Sequence, residues 1–256
     1  MVELKQLTTG YRTSGKDKVI SHSLNAKLNE GELTCLIGPN GAGKSTLLRT
    51  IAGFQPAISG EVCIADKDIT TYSSTQLSQL ISIVLTDNTQ IHNLSAFDVV
   101  AMGRMPYTGF WGRLREEDKR IVNECLDMVG VKHLSAQMIE TLSDGERQKT
   151  MIAKAIAQQT PVILLDEPTA FLYYPNKVNT MLLLRRLAHD MKKTILLSIH
   201  DIDLALQMAD NIWLMNSHSQ LTVGTPIQLC EQEIIQKEIC NEHIEFDAVR
   251  RTFQAK

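Results

Sequence analysis

Apolar positions fall into two alternating rhythms along this chain. Short runs at Leu33–Ile37, 162–166, 194–199 and Asn211–Met215 are nearly unbroken, as strands buried on both faces are. Between them, Leu47, Leu48 and Ile51 share one helical face, and residues 176–190 and 201–209 repeat at helical spacing. This is the β-α-β alternation of a parallel sheet. Residues 2–7 and 19–28 read as strands joined by a polar turn, with further strands at 61–64 and 81–85. From about residue 88 the rhythm changes. Residues 95–103 and 116–129 have helical spacing, joined by a glycine- and aromatic-containing link at 106–112, and no strand pattern returns until Val162. The expected organisation is one α/β domain over 1–256. Its core covers about 1–87 and 160–225, with an inserted helical subdomain at about 88–159 and a helical or loose tail at about 226–256.

Composition narrows the function. The 256 residues are 43% hydrophobic, enough to fill a sizeable core. The longest apolar runs have strand length, far short of the ~20 residues that cross a bilayer. A net charge of −3 gives no footprint for nucleic acid. Met1-Val2-Glu3-Leu4-Lys5 has no apolar signal segment, so a cytosolic protein is expected, linked to any membrane only through another subunit. Cys35, Cys63, Cys125, Cys230 and Cys240 show no metal-ligand spacing and read as free thiols.

Gly38-Pro39-Asn40-Gly41-Ala42-Gly43-Lys44-Ser45 matches the phosphate-loop pattern, and it sits between an apolar strand and an amphipathic helix. Its glycines let successive backbone N–H groups turn toward phosphate oxygens, and the helix starting near Lys44 adds its dipole. Lys44 is expected to reach the β- and γ-phosphates of a nucleoside triphosphate. Ser45 is expected to offer its hydroxyl to Mg2+, and Thr46 continues the loop.

A second carboxylate-bearing edge follows the run at 162–165. Asp166 and Glu167 stand where ligands gather in an open parallel sheet. Adjacent acids there call for a cation. Asp166 would hold Mg2+ through water, and Glu167 would polarise the attacking water. His200 closes the 194–199 strand at the same edge, placed to hydrogen-bond a γ-phosphate. Tyr11 precedes the phosphate loop and offers an aromatic face for adenine. Ser143 and Glu146 have capping-box spacing, so Ser143 and Gly145 would present a helix N-terminus to an anion.

Leu142-Ser143-Asp144-Gly145-Glu146-Arg147-Gln148, the phosphate loop, Leu165-Asp166-Glu167-Pro168 and His200 stand in the order found in the ATP-binding-cassette (ABC) ATPases. The chain resembles that family from about residue 2 to 216. Gly103-Arg104-Met105-Pro106-Tyr107-Thr108-Gly109, Pro168-Thr169-Ala170-Phe171-Leu172 and Ser198-Ile199-His200-Asp201-Ile202-Asp203-Leu204-Ala205-Leu206 look like the ATPase subunits of iron-siderophore, haem and cobalamin importers. The resemblance implies a P-loop NTPase fold: a mostly parallel sheet, an N-terminal antiparallel β portion and an inserted helical subdomain. It also implies a dimer sandwiching two ATP molecules with Mg2+. Ser143, Asp144, Gly145 and Glu146 of one subunit would face the partner's ATP. Two transmembrane permease subunits would dock on the helical insertion at the cytoplasmic face, served indirectly by a solute-binding protein. An ATPase for another solute, and a weakly hydrolysing regulatory subunit, stay open beside this reading.

Three positions depart from the family pattern. The usual glutamine after the 81–85 strand corresponds to Asp87, or to Thr86 or Gln90 if the alignment shifts, and Asp87 would ligate Mg2+ through oxygen. Asp144 replaces the first glycine of the signature. Tyr173-Tyr174 stands where aspartate usually continues the loop, so a cross-dimer contact is lost or replaced. A competent ATPase with altered communication between sites is expected.

Overall fold

The apolar runs become the middle of a six-stranded sheet. The computed structural model describes residues 1–12, 16–85, 91–109, 112–170, 172–240, 242–247, 250 and 252–256. The sheet runs β6 (Ile81–Val84), β7 (Val162–Leu165), β8 (Thr194–Ser198), β3 (Leu33–Ile37), β9 (Asn211–Met215) and β10 (Leu221–Gly224), with all but β10 parallel. Alternate residues of the central strands enter different cores. Ile163, Leu165, Ile195 and Leu197 join one cluster with the helices, while Val162, Leu164, Leu196 and Trp213 join another beneath the N-terminal β portion. Burial on both faces explains why these strands are apolar without alternation.

The second core is roofed by an antiparallel sheet of β1 (Val2–Tyr11), β2 (Lys18–Leu28), β4 (Ser59–Ile64) and β5 (Lys67–Asp68). β1 continues past Leu7, where the pattern ended. Gln6 takes φ 48° and the register with β2 shifts, so Leu7, Thr8, Thr9 and Gly10 are all buried. A bulge of this kind erases period-two alternation and carries the strand on to Tyr11. Helix α1 (Lys44–Ile51) packs Leu47, Leu48 and Ile51 into this core, and α2 (Ser74–Leu80) leads into β6.

Between β6 and β7 the described residues are helical: α3 (Ala96–Ala101), α4 (Glu116–Met128) and α5 (Asp144–Ala157). Val99, Val100, Val122, Leu126, Ile152 and Ile156 close their shared core. The expected helix over 95–103 stops at Ala101 and tightens into a 3-10 segment, Met102–Tyr107. A Cβ on Gly103 would collide with the Lys154 carbonyl, so α5 lies against the backbone there. After β7 come α6 (Tyr174–Met191) and α7 (Ile202–Met208). The tail holds α8 (Pro226–Glu231), α9 (Ile234–Ile239) and an unforeseen hairpin of β11 (Ile244–Asp247) with β12 (Thr252–Ala255). Phe246 and Phe253 pack 4.9 Å apart in it, and the Phe253 N–H donates to Asp203 of α7 at 3.0 Å.

A buried polar hub ties the C-terminus of α5 to the sheet. Arg104 Nε donates to Asp118 at 3.0 Å, and its Nη1 donates to the Ala157 carbonyl and to Gln159, both at 2.8 Å. The guanidinium lies 4.3 Å from the Tyr107 ring centre, whose hydroxyl donates to the Gln158 carbonyl at 2.9 Å. The Gln158 side-chain amide donates onward to the carbonyls of Ser78 and Ile81. A cation at a helix C-terminus also complements the macrodipole. Arg104→Met strands the buried Asp118 carboxylate and is expected to cost about 3–5 kcal/mol in urea unfolding. Arg104→Met with Asp118→Leu should recover most of that loss, and equal destabilisation of both variants would contradict the hub.

Candidate functional site

The ladder brings three strand ends to one level. Leu36 pairs with Ser198, and Leu165 with Leu197, so Gly38, Asp166 and His200 emerge at the same edge. The sheet edge beyond the C-termini of parallel strands is the usual ligand position.

The phosphate loop curls tightly out of β3. Gly38 has φ 149°, and a Cβ on it would strike the Met215 carbonyl. Gly43 has φ 103° and opens α1 in the left-handed region, where glycine alone is unstrained. Pro39, Asn40 and Gly41 are exposed, Ala42 and Thr46 are buried, and Ser45 is half-buried. Lys44 is only 5% exposed, and its Nζ donates to the carbonyls of Gly38 at 2.8 Å and Pro39 at 3.0 Å. Burial pulls the Lys44 pKa below its ordinary value, while the charges of Glu167 and Asp166 push it back up. Loop and carboxylates therefore form one electrostatic site.

A residue that the sequence reading missed organises the acids. Ser198 is fully buried, donates its hydroxyl proton to Asp166 Oδ1 at 2.6 Å, and accepts the Glu167 N–H at 2.9 Å. Asp166 is buried, and its N–H donates to the Val84 carbonyl at 2.8 Å. Glu167 has φ 50°, a left-handed conformation costing about 1–3 kcal/mol in a non-glycine residue. The Ser198 bond holds it there. His200 Nε2 lies 2.6 Å from Glu167 Oε1. His200 was expected to point at a γ-phosphate; its partner in the chain is Glu167. The signal for Ser198 was available as the hydroxyl that closes the apolar run of β8, two residues before His200.

Ser45 and Asp166 offer oxygen donors, the hard ligands that suit Mg2+. Among the described residues no group of three or more His, Cys, Asp or Glu side chains assembles to hold a metal ion. Such a partial donor set fits a Mg2+ ion that keeps waters and arrives on nucleotide phosphates. Asp87, with Thr86 and Gln90, lies outside the described residues. Tyr11 is part-exposed, and its hydroxyl shares a 3.2 Å hydrogen bond with Thr46 Oγ1, tying its ring to α1. A cleft of about 450 Å3 beside it is lined by Tyr11, Arg12, Arg49, Phe54 and Leu85, among others.

The start of α5 carries the capping box that the spacing predicts. Glu146 N–H donates to Ser143 Oγ at 3.4 Å, and Ser143 N–H donates to Glu146 Oε2 at 2.9 Å. Hydrogen bonds from the Ser143 hydroxyl and N–H hold the Glu146 pKa below the usual carboxylate range. Asp144 is exposed and lies 3.5 Å from Arg147, one turn along its own helix. Gly145 faces the loop after Glu167: a Cβ built on it would stand 3.2 Å from Leu172 Cδ2. Among the described residues the side-chain hydrogen bonds of Ser143, Asp144 and Glu146 stay within residues 143–147.

The cysteines take no part. None of the five joins a disulfide among the described residues, and burial pushes the Cys35 thiol far up and that of Cys125 to about 12.

Ser198→Ala removes the hydroxyl that orients both acids. It is expected to lower the kcat of ATP hydrolysis by about ten- to a hundredfold with little change in KM, and to cost about 1–3 kcal/mol of stability for the stranded Glu167 N–H. Steady-state kinetics beside urea unfolding checks both numbers. An unchanged kcat would remove Ser198 from the site.

Comparison with known proteins gives the family. Residues 21–170 match the sequence family described as ABC transporter. The chain is 41% identical over 235 residues to an uncharacterised ABC transporter ATP-binding protein of Methanocaldococcus jannaschii, covering 92% of this chain and 80% of that one. It is 32% identical over 233 residues to the ferric enterobactin transport ATP-binding protein of Escherichia coli, covering 91% and 84%. The dimeric structure of a bacterial ABC transporter cassette superposes with a TM-score of 0.79 at 26% identity, over 88% of this chain and 99% of that one. With a family match across more than half its length and these relatives alongside, the chain belongs to the ABC transporter family as one of its ATP-hydrolysing subunits.

Proposed function

We propose that this chain is the energy-coupling ATPase of an importer for a metal chelate of the ferric-siderophore, haem or cobalamin type. The observation carrying the reading is the convergence of Lys44, Asp166, Glu167 and His200 at one sheet edge, with Ser198 and His200 both bonded to the Asp166-Glu167 pair. The cargo class is supported by the ferric enterobactin relative and by the strings at 103–109 and 198–206.

In this reading Lys44 leaves its carbonyl partners for the β- and γ-phosphates. The backbone N–H groups of residues 40–45 cradle the phosphate oxygens, and Tyr11 stacks on adenine. Ser45 and Asp166 hold Mg2+, which neutralises charge on the phosphates when bound. Glu167 takes the proton of the attacking water. His200, bonded to Glu167, fixes the direction of that carboxylate. Ser143, Asp144, Gly145 and Glu146 serve the ATP of a second copy, where the start of α5 completes the γ-phosphate cage.

No helix of the described residues is long and apolar enough to cross a membrane. In this reading contact with the bilayer runs through two permease subunits. The core at about 1–87 and 160–225 then works against the helical subdomain at about 88–159, which receives the permeases at the cytoplasmic face. A solute-binding protein delivers the chelate to those permeases and never touches this chain.

Glu167→Gln is expected to retain ATP binding and lose about 10²–10⁴-fold in hydrolysis. Affinity purification from native membranes in mild detergent should bring down a polytopic membrane subunit, whose solute-binding partner takes up a ferric or cobalt chelate. Recovery of soluble partners alone would overturn the transporter reading. A solute-binding partner that ignores such chelates would overturn the cargo class.

A further inference from the structure

The His200 ring is nearly half exposed, and among the described residues its hydrogen-bond partner is Glu167. A ring so open to solvent takes its direction from the backbone that carries it. On one side that backbone is pinned to the sheet. Ile199 is buried, and its N–H donates to the Leu36 carbonyl at 3.1 Å. On the other side it runs into α7, a helix of only seven residues. So short a helix is marginal alone and depends on what it packs against.

Two ties reach the start of α7 from different elements. Lys177 of α6 lies 3.3 Å from Asp201, whose carboxylate also accepts the Leu204 N–H at 3.3 Å. Asp203 reaches toward the tail, where it accepts the Phe253 N–H of β12 at 3.0 Å. Burial raises the Asp203 pKa above the ordinary carboxylate value, the Phe253 bond pulls it back, and the Asp201 charge adds to the rise. The carboxylate has therefore exchanged water for the hairpin. Ile202 of α7, Ile234 of α9 and both hairpin phenylalanines pack against the core that holds Ile199 and Leu204. A two-stranded ribbon is marginal alone, so hairpin and helix hold each other.

We propose that Asp203 is a positioning residue for ATP hydrolysis: by tying the C-terminal hairpin to the first turn of α7, it sets His200 in place against the Glu167 carboxylate. The inference rests on the proposed role of His200 and adds the tail to what holds it. Asp203 follows His200 by three residues, so a shift of the first helical turn passes directly to the ring. A hydrogen bond to a charged acceptor is stronger than one to a neutral acceptor. A displacement of about 1 Å at a catalytic group is enough to cost about 10²-fold in rate.

The test compares full-length variants in steady-state ATPase kinetics beside urea unfolding. Asp203→Ala should lower kcat by about tenfold and leave KM within about twofold. Asp203→Asn keeps an acceptor oxygen for the Phe253 N–H, so its kcat should stay within about threefold of the unmodified chain. Phe253→Ala removes the ring but keeps the N–H, so stability should fall while kcat also stays within about threefold. In a chain already carrying His200→Ala, adding Asp203→Ala should change kcat by less than about twofold, because the two residues act as one unit. An equal loss with and without His200 would make the tie merely structural and overturn the inference. So would an unchanged kcat in Asp203→Ala, or a kcat that falls as far in Phe253→Ala as in Asp203→Ala. A His200→Ala chain that hydrolyses ATP at the unmodified rate would overturn the role of His200 and this inference together.

Discussion

The common level at which β3, β8 and β7 end is the constraint on which the site depends. Each strand is buried on both faces, so a slip of one residue would swap its two apolar sets between unlike cores. With Leu36 opposite Ser198 and Leu165 opposite Leu197, the phosphate loop, the acids and His200 have no freedom to leave the edge. The chemistry is thus positioned by apolar packing far larger than any polar contact made at the edge itself.

Onto that edge one buried hydroxyl adds direction. Ser198 joins the side chain of Asp166 to the backbone of Glu167, and His200 then fixes the Glu167 carboxylate. The left-handed backbone at Glu167 is tolerated because these bonds over-determine it. Helix α5 works at longer range. Its N-terminus carries Ser143 and Gly145, while its C-terminus is gripped by Arg104, Tyr107 and, through Gln158, by the start of β6. The helix is thus held at one end and presents Ser143 at the other, with Gly145 against Leu172.

Much of this was legible because it depends on local spacing. The phosphate loop, the boundaries of β3 and β9, the start of α1 and the Ser143 capping box follow from turn glycines, apolar runs and S-x-x-E spacing. What escaped depends on contacts between distant segments. The Gln6 bulge hid the second half of β1, and with it the route that brings Tyr11 to Thr46. Ser198 takes its role only where Asp166 and Glu167 lie beside it. The Leu172 contact with Gly145 joins residues on different elements, and the tail hairpin rests on Phe246 meeting Phe253. Burial alone ranks none of these, since Ser198 and Thr150 are equally hidden and only one touches the acids.

In the proposed dimer each ATP site is divided between two copies: phosphate loop and acids from one, the start of α5 from the other. The most direct measurement is ATPase rate per chain over a dilution series, with the oligomeric state followed in parallel by sedimentation. With a shared site, the specific rate falls as dimers are diluted away and returns on concentration. A specific rate that stays constant down to fully monomeric chain would contradict it.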